Sequence, residues 1–279
     1  MTGMIKPKRR TRLRLVLGSA YYGLKRKWLW IRMRSTFASD HSKELLPFSY
    51  FAHKTILLRK LSNVEMWLQY NKIKNLRIAV GRIDGIILRP GEVFSYWKLI
   101  GKPSKKRGYV DGMILQNGHF RPGVGGGLCQ LSNLIFWITA HTPLTVIERH
   151  RHSYDVFPDA DRTQPFGSGA TCFYPHGDLM IANNTSHDYQ LMLKVGSEYL
   201  EGEWRVSHQP EVRIEVVEKD HMIVGAYWGG YIRKNELIQR TYDLEEQLLE
   251  EKLLVRNAGI MMYSPLLEGE IKPIMDVEK

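Results

Sequence analysis

The segment that most constrains the fold is Pro122-Gly-Val-Gly-Gly-Gly-Leu-Cys-Gln-Leu-Ser132, a glycine-rich turn that runs into an apolar segment, 128–140. The apolar segment predicts a helix, so Cys129 should lie within one turn of its N-terminus, where unpaired N–H groups and the macrodipole favour thiolate. The four glycines allow a sharp turn and the close approach of another molecule. These properties suit a nucleophile. The alternative is a free cysteine packed in the core beside a tight turn.

A candidate base lies in Glu148-Arg-His-Arg-His-Ser153, where a predicted strand ends. Because alternate residues of a strand share a face, Glu148, His150 and His152 should point the same way, with the two arginines on the other face. A cysteine–histidine pair oriented by Glu148 would then have the groups that thiol chemistry requires. The alternative is a polar strand edge whose histidines are merely solvated.

Metal and nucleotide binding are rival uses of these residues. The chain has a His-x-His pair but no nearby CxxC or HExxH spacing, and the glycine turn lacks the Lys-Ser/Thr of a phosphate loop. We therefore expect no metal and no cofactor. The candidate metal ligands were His150, His152, Asp155, Asp159, Asp161, His176 and Asp178. Cys172 is the second of the two cysteines, and a disulfide between it and Cys129 stays open at this point.

The net charge of +11 belongs to the start of the chain. Residues 1–34 hold eleven basic and no acidic side chains, and the remaining residues carry equal numbers of both. A neutral body with a basic arm gives no reason to expect nucleic-acid binding by the body.

The arm, residues 1–40 with its linker, shows a helical period of apolar residues flanked by basic ones. The period consists of Leu13, Leu17, Tyr21, Leu24, Trp28 and Ile31. Such a helix, over residues 8–34, is typical of binding to an anionic membrane surface. The alternatives are packing on the protein's own body, nucleic-acid binding or targeting. No signal peptide or transmembrane segment is evident, so we expect a cytoplasmic protein that lies peripherally on the inner membrane face.

The rest of the chain predicts an α+β fold, with a mostly antiparallel sheet, a helix that carries Cys129 at its N-terminus and a strand-rich C-terminal half. We expect a linker at 35–49, helices in 63–80 and near 244–253, and a hairpin at Asn117-Gly118. Later candidate strands are 170–174, 179–183, 189–195, 199–206, 212–217 and 222–227. The body divides into a domain over 41–205 and a β-rich extension over 206–279, packed together.

Five segments resemble the VanW family, which is named for an accessory protein encoded with B-type vancomycin resistance in Gram-positive bacteria. They are Arg89-Pro-Gly-Glu-Val-Phe-Ser95, Arg107-Gly-Tyr109, Pro122–Ser132, Glu148–Ser153 and Ile181-Ala-Asn-Asn-Thr185. The resemblance covers roughly residues 70–195 and is most specific in G-V-G-G-G-x-C-Q-x-S. The length and basic start resemble the short members of the family rather than the large exported ones.

This resemblance implies a function in glycopeptide resistance. Some exported members are L,D-transpeptidases that cross-link peptidoglycan through a cysteine. Cys129 would accordingly form a thioester with a tetrapeptide stem, with His152, or else His150, as base. The N–H groups of Gly127 to Gln130 would stabilise the oxyanion. Around the substrate, a peptidoglycan peptide or precursor, we expect Gly125, Gly126, Gly127, Gln130 and Ser132.

Two features depart from the exported members. They typically read Gly-Arg-Asp-Ala-Thr where this chain has Gly167-Ser-Gly-Ala-Thr171, so Gly169 replaces an acidic residue. The chain also shows no export signal, although cross-linking takes place outside the membrane. The alternative function is a non-catalytic protein at the membrane surface that binds a cell-wall precursor or enzyme.

Overall fold

The structure is a computed structural model that describes residues 11–58, 65–116, 119–152, 154–156, 164–227 and 229–263. Within these ranges the chain has the predicted α+β class, with mainly antiparallel sheets and a helix that begins at Cys129. The predicted Asn117-Gly118 turn and the candidate ligands Asp159 and Asp161 lie outside the described residues.

Four α-helices lie in the described part of the chain: α1 Arg12–Arg32, α2 Met66–Ile83, α3 Tyr96–Ile100 and α4 Cys129–Ala140. The arm therefore forms the helix that its apolar period predicts, and the Thr11 hydroxyl accepts a hydrogen bond from the Arg14 N–H at its first turn. Helix α2 confirms the helix predicted in 63–80 and ends just before Gly85, whose φ is +78°.

The strands form three larger sheets and one hairpin. They are β1 Phe48–Ile56, β2 Ile86–Leu88, β3 Val93–Ser95, β4 Asp111–Gln116, β5 His119–Val124, β6 Thr145–Glu148, β7 Tyr154–Asp155, β8 Met180–Ala182, β9 Tyr189–Val195, β10 Tyr199–Val206, β11 Arg213–Gly225, β12 Tyr231–Tyr242 and β13 Leu248–Met261. The sheet orders are β1-β10-β9-β2, β11-β12-β13-β7 and β3-β8-β6, and β4 pairs with β5 as the predicted hairpin. Strands β9 and β10 match their predicted bounds.

The predicted helix near 244–253 is wrong. Asp243 begins a turn in which its carboxylate accepts from the N–H groups of Glu245 and Gln247, and β13 starts at Leu248. Pairing of β13 with β12 along its length outweighs the local preference of its Leu, Glu and Lys residues for helix.

Three further predictions need correction. The predicted strand at 170–174 forms only an isolated bridge between Phe173 and Gly177. The segments predicted as two strands, 212–217 and 222–227, largely belong to the single strand β11. The predicted linker is partly packed, because Phe37 is buried and bridges to β3. The packing of Phe37 was not predicted because its partner Val93 is distant in sequence.

The core encloses α4 from two sides. On one side α4 packs against β1 and β10, where Trp204 is fully buried and its indole N–H donates to the Thr139 hydroxyl at 2.9 Å. On the other side Trp137 and Ala140 of α4 pack against Val216 and Leu237 of the C-terminal sheet. Helix α4 therefore takes its position from both halves of the chain.

Replacing Leu237 should destabilise the whole body. Leu237→Ala removes a fully buried side chain that packs on α4, and we expect the free energy of unfolding to fall by about 2–5 kcal/mol. Urea denaturation followed by tryptophan fluorescence measures this change. Leu248→Ala is the control, because Leu248 is exposed. A separate transition of the C-terminal sheet, with the remainder unaffected, would contradict the expectation.

Candidate active site

The glycine turn before α4 is shaped by contacts with the chain itself. Gly125 and Gly127 have φ values of +77° and +91°, which favour glycine. A Cβ at Gly126 would lie 2.2 Å from the carbonyl carbon of Gly112, and one at Gly127 would lie 2.2 Å from the Cγ of Lys72. The space beside these glycines, which we expected another molecule to enter, is thus occupied by β4 and α2.

Asn75 of α2 holds this turn in place. Its side-chain amide donates to the carbonyls of Gly126, at 2.9 Å, and Val110, at 3.0 Å, and its oxygen accepts from the Val110 N–H at 2.9 Å. Asn75 is fully buried, so these bonds replace the water that its amide loses. No sequence motif marks Asn75 as part of a site. Its signal was a polar residue at a core-facing position of α2.

The backbone N–H groups of the turn divide into two sets. Those of Gly125 and Gly126 donate to Val110 and Gly123, both at 3.0 Å, so they are engaged within the chain. The Gln130 N–H likewise donates to the Gly127 carbonyl at 3.1 Å. Among the described residues, no backbone carbonyl accepts from the N–H groups of Gly127, Leu128 and Cys129, as expected for the start of a helix. Three of the donors implied for an oxyanion remain available.

Cys129 is a partly buried, protonated thiol rather than an activated thiolate. Its sulfur donates to the Cys172 carbonyl, with 3.8 Å between sulfur and oxygen. Burial raises the pKa of Cys129, and this effect outweighs the hydrogen bonds that lower it. The predicted lowering of the pKa is therefore wrong, because removing the thiolate from water costs more than the helix terminus returns.

Both cysteines are free, so the disulfide that the sequence left open is absent from this structure. Burial also raises the pKa of Cys172 well above its ordinary value. Ser132, which is fully buried, donates to the Ala170 carbonyl at 2.6 Å and so joins α4 to the segment that carries Cys172. The Gln130 amide donates to Ile56 at 2.9 Å. These two side chains, expected around the substrate, hold neighbouring segments together.

Glu148 and His150 meet as predicted. Glu148 ends β6, and its carboxylate lies 2.9 Å from Nε2 of His150. An ionised carboxylate only accepts, so Nε2 of His150 carries the hydrogen and Nδ1 is the acceptor nitrogen. The His150 carbonyl accepts from the Thr171 N–H at 2.8 Å. Thr171 adjoins Cys172, which contacts Cys129, so one short segment connects the histidine with the cysteine.

The side chains of residues 149, 151 and 152 contact other parts of the chain than Glu148 and His150 do. Arg149 donates to the carbonyls of Gly167 and Gly169, and Arg151 donates to that of Ala258 in β13. The two arginines thus have different neighbours from Glu148 and His150. Burial lowers the pKa of His152 from its ordinary value of 6.5, so this imidazole is neutral at pH 7. A neutral imidazole is the form that accepts a proton.

Arg26 of α1 joins this cluster, which sequence reasoning missed. Its guanidinium forms an ion pair with Glu148, lies 3.8 Å from Asp178 and donates to the His176 carbonyl at 2.9 Å. Arg26 is buried, although its basic neighbours on α1 are exposed. Only its place on the helix face opposite the apolar period distinguished it in the sequence.

The pKa values of the two carboxylates near Arg26 are shifted in opposite directions. Burial alone would raise the pKa of Glu148, but hydrogen bonds from His150 and Arg26 outweigh it and lower the pKa to about 2. Burial dominates at Asp178 and raises its pKa to about 6, despite hydrogen bonds from Ser95 and the Trp97 N–H. Glu148 is thus the anion that orients His150.

Gly169, which replaces an acidic residue of the exported members, lies against Asn133. A Cβ at Gly169 would be 2.5 Å from Oδ1 of Asn133, and that oxygen accepts from the Ala170 N–H at 2.8 Å. Asn133 therefore occupies the space that a side chain at 169 would need. Position 169 contributes only its carbonyl, which accepts from Arg149.

Two kinds of feature are absent from the described ranges. Among those residues, no group of three or more His, Cys, Asp or Glu side chains is arranged to hold a metal ion. None of the helices found there has the length and apolar content needed to cross a membrane.

Comparisons with known proteins agree with the resemblance carried by the glycine turn. A family model described as VanW like protein matches residues 71–205. The chain is 32% identical over 234 residues to the vancomycin B-type resistance protein VanW of Enterococcus faecalis, covering 84% of each protein. It is 30% identical over 96 residues to the uncharacterized protein YoaR of Bacillus subtilis, covering 33% of this chain and 32% of that protein. No solved structure matches. The chain belongs to the VanW family.

Gly126→Ala should strongly destabilise the protein. The alanine Cβ would clash with the backbone of Gly112, which cannot move aside as the end of a flexible side chain can. We therefore expect the free energy of unfolding to fall by about 1–3 kcal/mol or more. Gly81→Ala in α2 is the matched control, because its Cβ would have nothing within 4 Å and alanine favours helix by about 0.5–1 kcal/mol. Thermal unfolding measures both, and equal effects would contradict the close contact.

Arg26→Gln should lower the free energy of unfolding by about 3–5 kcal/mol at neutral pH, because it leaves Glu148 as a part-buried anion without its cation. The Glu148 pKa is lowered from 4.5 to about 2, so its stabilising contribution is present above pH 4.5 and is lost as the pH falls through 2. The difference in free energy of unfolding between wild type and variant should therefore decrease as the pH is lowered from 7 towards 3.

Urea denaturation across this pH range measures the difference. Lys25→Gln removes an exposed charge beside Arg26 and serves as control, with little effect expected. A pH-independent loss in Arg26→Gln would show that packing, rather than the ion pair, fixes this residue.

Proposed function

We propose that this protein acts in glycopeptide resistance as a cysteine acyltransferase on peptidoglycan stem peptides or their precursors. The observation that carries the proposal is the position of Cys129 in the first turn of α4, where no carbonyl of the described residues accepts from the N–H groups of Gly127, Leu128 and Cys129. Donors of this kind stabilise an oxyanion beside the attacked carbonyl carbon. The printed name of the Enterococcus faecalis relative supports the resistance context.

In the proposed reaction, the Cys129 sulfur attacks a carbonyl carbon of a tetrapeptide stem, and the thiol proton passes to His152. The amide C–N bond then breaks, the terminal residue leaves as an amine with that proton, and a thioester remains on Cys129. An amine of a second peptide attacks the thioester, an amide forms, and the released sulfur regains a proton. His150, held by Glu148, is the second candidate base.

The neutral state of His152 supports its role as base. Burial raises the pKa of the Cys129 thiol and lowers that of the His152 imidazole, so both groups are uncharged at pH 7. Proton transfer then accompanies the attack on the substrate instead of preceding it. The N–H groups of Gly127, Leu128 and Cys129 act on the charge that develops in the transition state.

An acyl adduct on Cys129 is the expected result with a synthetic tetrapeptide stem. Intact-mass and peptide mass spectrometry of the full chain should show the stem without its terminal residue bound to Cys129. Cys129→Ala should lose the adduct. Cys172→Ala should keep it, because the hydrogen bond from the Cys129 sulfur goes to the carbonyl oxygen of residue 172, which alanine retains.

The pH dependence of adduct formation separates a neutral pair from an ion pair. We expect the rate to rise with pH below about 6.5, as His152 loses its proton, and to stay level from about pH 7 to 8.5. His152→Asn should slow the reaction far more than His150→Asn. A bell-shaped profile centred below pH 7 would contradict the neutral pair.

The second candidate function is binding of a cell-wall precursor without chemistry. The raised pKa of Cys129 favours it, since a resting thiol is a weak nucleophile. Tight binding of the stem peptide by wild type and Cys129→Ala alike, with no adduct on the wild type, would establish this function and overturn acyl transfer.

A further inference from the structure

Helix α1 has two unlike faces. One face packs on the body: Arg26 is buried, Leu29, Trp30 and Met33 adjoin core residues, and the Tyr22 ring stacks on His176 at 5.8 Å. The other face carries the apolar stripe, which we define as Leu13, Leu17, Tyr21, Leu24, Trp28 and Ile31. Every member of this stripe is exposed, Leu13 by 70% and Ile31 by 73%. From the sequence, the apolar stripe could either pack on the body or bind another surface. In the structure it does not pack on the described part of the body.

The two faces are on opposite sides of the helix. Successive residues are about 100° apart around an α-helix, so Arg26 lies roughly opposite Leu24 and Trp28, which are each two positions away. The ion pair between Arg26 and Glu148 fixes the docked face. The apolar stripe therefore cannot turn inward without separating this pair, and it stays outward while the protein is folded.

Basic side chains border the apolar stripe. Arg14, Lys25 and Arg32 are exposed along one border and Lys27 along the other. Residues 1–34 contain no acidic side chain that would neutralise them. The surface therefore combines an apolar strip with positive edges, which complements the acyl chains and negative headgroups of an anionic bilayer.

A second copy of the chain is a poorer match for the same surface. Pairing two apolar stripes would bring the two sets of basic residues together without any acid on α1 to separate them. Trp28 and Tyr21 also suit the headgroup region, where an aromatic ring is partly apolar and partly hydrated. The 21 residues of α1 make a rod about 30 Å long that lies along a surface.

We propose that the apolar stripe of α1, with its basic borders, is the docking surface of this protein for an anionic lipid bilayer. The helix lies in the plane of the bilayer surface, with Leu24, Trp28 and Ile31 inserted among the lipids. Because its other face is fixed to Glu148, the whole body docks with it. The proposal does not depend on the chemistry of Cys129.

Vesicle co-sedimentation of the full chain tests this surface. We expect at least tenfold stronger binding to vesicles of equal parts phosphatidylglycerol and phosphatidylcholine than to phosphatidylcholine alone, weakening as salt is added. The triple variant Leu24→Gln, Trp28→Gln and Ile31→Gln should lose at least tenfold in binding. Its fold should be intact by circular dichroism, because these side chains are exposed.

A control triple variant removes three exposed apolar side chains elsewhere. Leu248→Gln, Leu249→Gln and Leu253→Gln lie on β13, are also exposed, and should change binding less than twofold. Lys25→Glu with Lys27→Glu is a second variant that keeps the apolar stripe and should also lose binding to the anionic vesicles.

Three results would overturn the proposal. They are equal binding by wild type and the α1 triple variant, equal binding to the two vesicle compositions, and a wild-type dimer in light scattering that the α1 triple variant converts to monomer. The last result would assign the surface to a second copy. Cys129→Ala should bind vesicles as wild type does, which keeps this outcome separate from that of acyl transfer.

Discussion

The contact between the backbones of Gly126 and Gly112 sets the position of the candidate nucleophile. No side chain fits between these two residues, and Asn75 ties the same turn to α2. Helix α4 begins three residues after Gly126, so the hairpin β4–β5, α2 and the start of α4 share one rigid junction. The thiol is thus held by a tightly packed backbone between a helix and a strand. Such elements position a side chain more precisely than a mobile loop does.

A second constraint joins the arm to this junction. Arg26 shares the carboxylate of Glu148 with His150, so one residue of α1 takes part in orienting a candidate base. Glu148 and Asp178 shift in opposite directions because Glu148 has a direct ion pair, whereas Asp178 is more deeply buried and 3.8 Å from the guanidinium. The proposed surface docking through α1 and the geometry of the histidine therefore depend on the same buried arginine.

The sequence predicts what local periodicity determines. The α1 helix, the helix beginning at Cys129 and strands β9 and β10 have strong patterns of their own, and the structure has them at or near the expected residues. Strand β13 was missed because its pairing with β12 is a tertiary effect. Asn75 and Arg26 were missed for a similar reason, since their partners lie far away in sequence and no local motif marks them.

The raised pKa of Cys129 changes how the glycine turn should be understood. A helix N-terminus was expected to create a thiolate in the resting protein, but burial keeps the thiol protonated. Burial also favours a neutral His152, so in the proposed reaction charge would separate only when a substrate carbonyl is present. In the proposed acyl transfer, the N–H groups of Gly127, Leu128 and Cys129 would stabilise the oxyanion of the transition state rather than the ground-state thiolate. A protonated thiol also resists oxidation and alkylation, because the thiolate is the form that reacts.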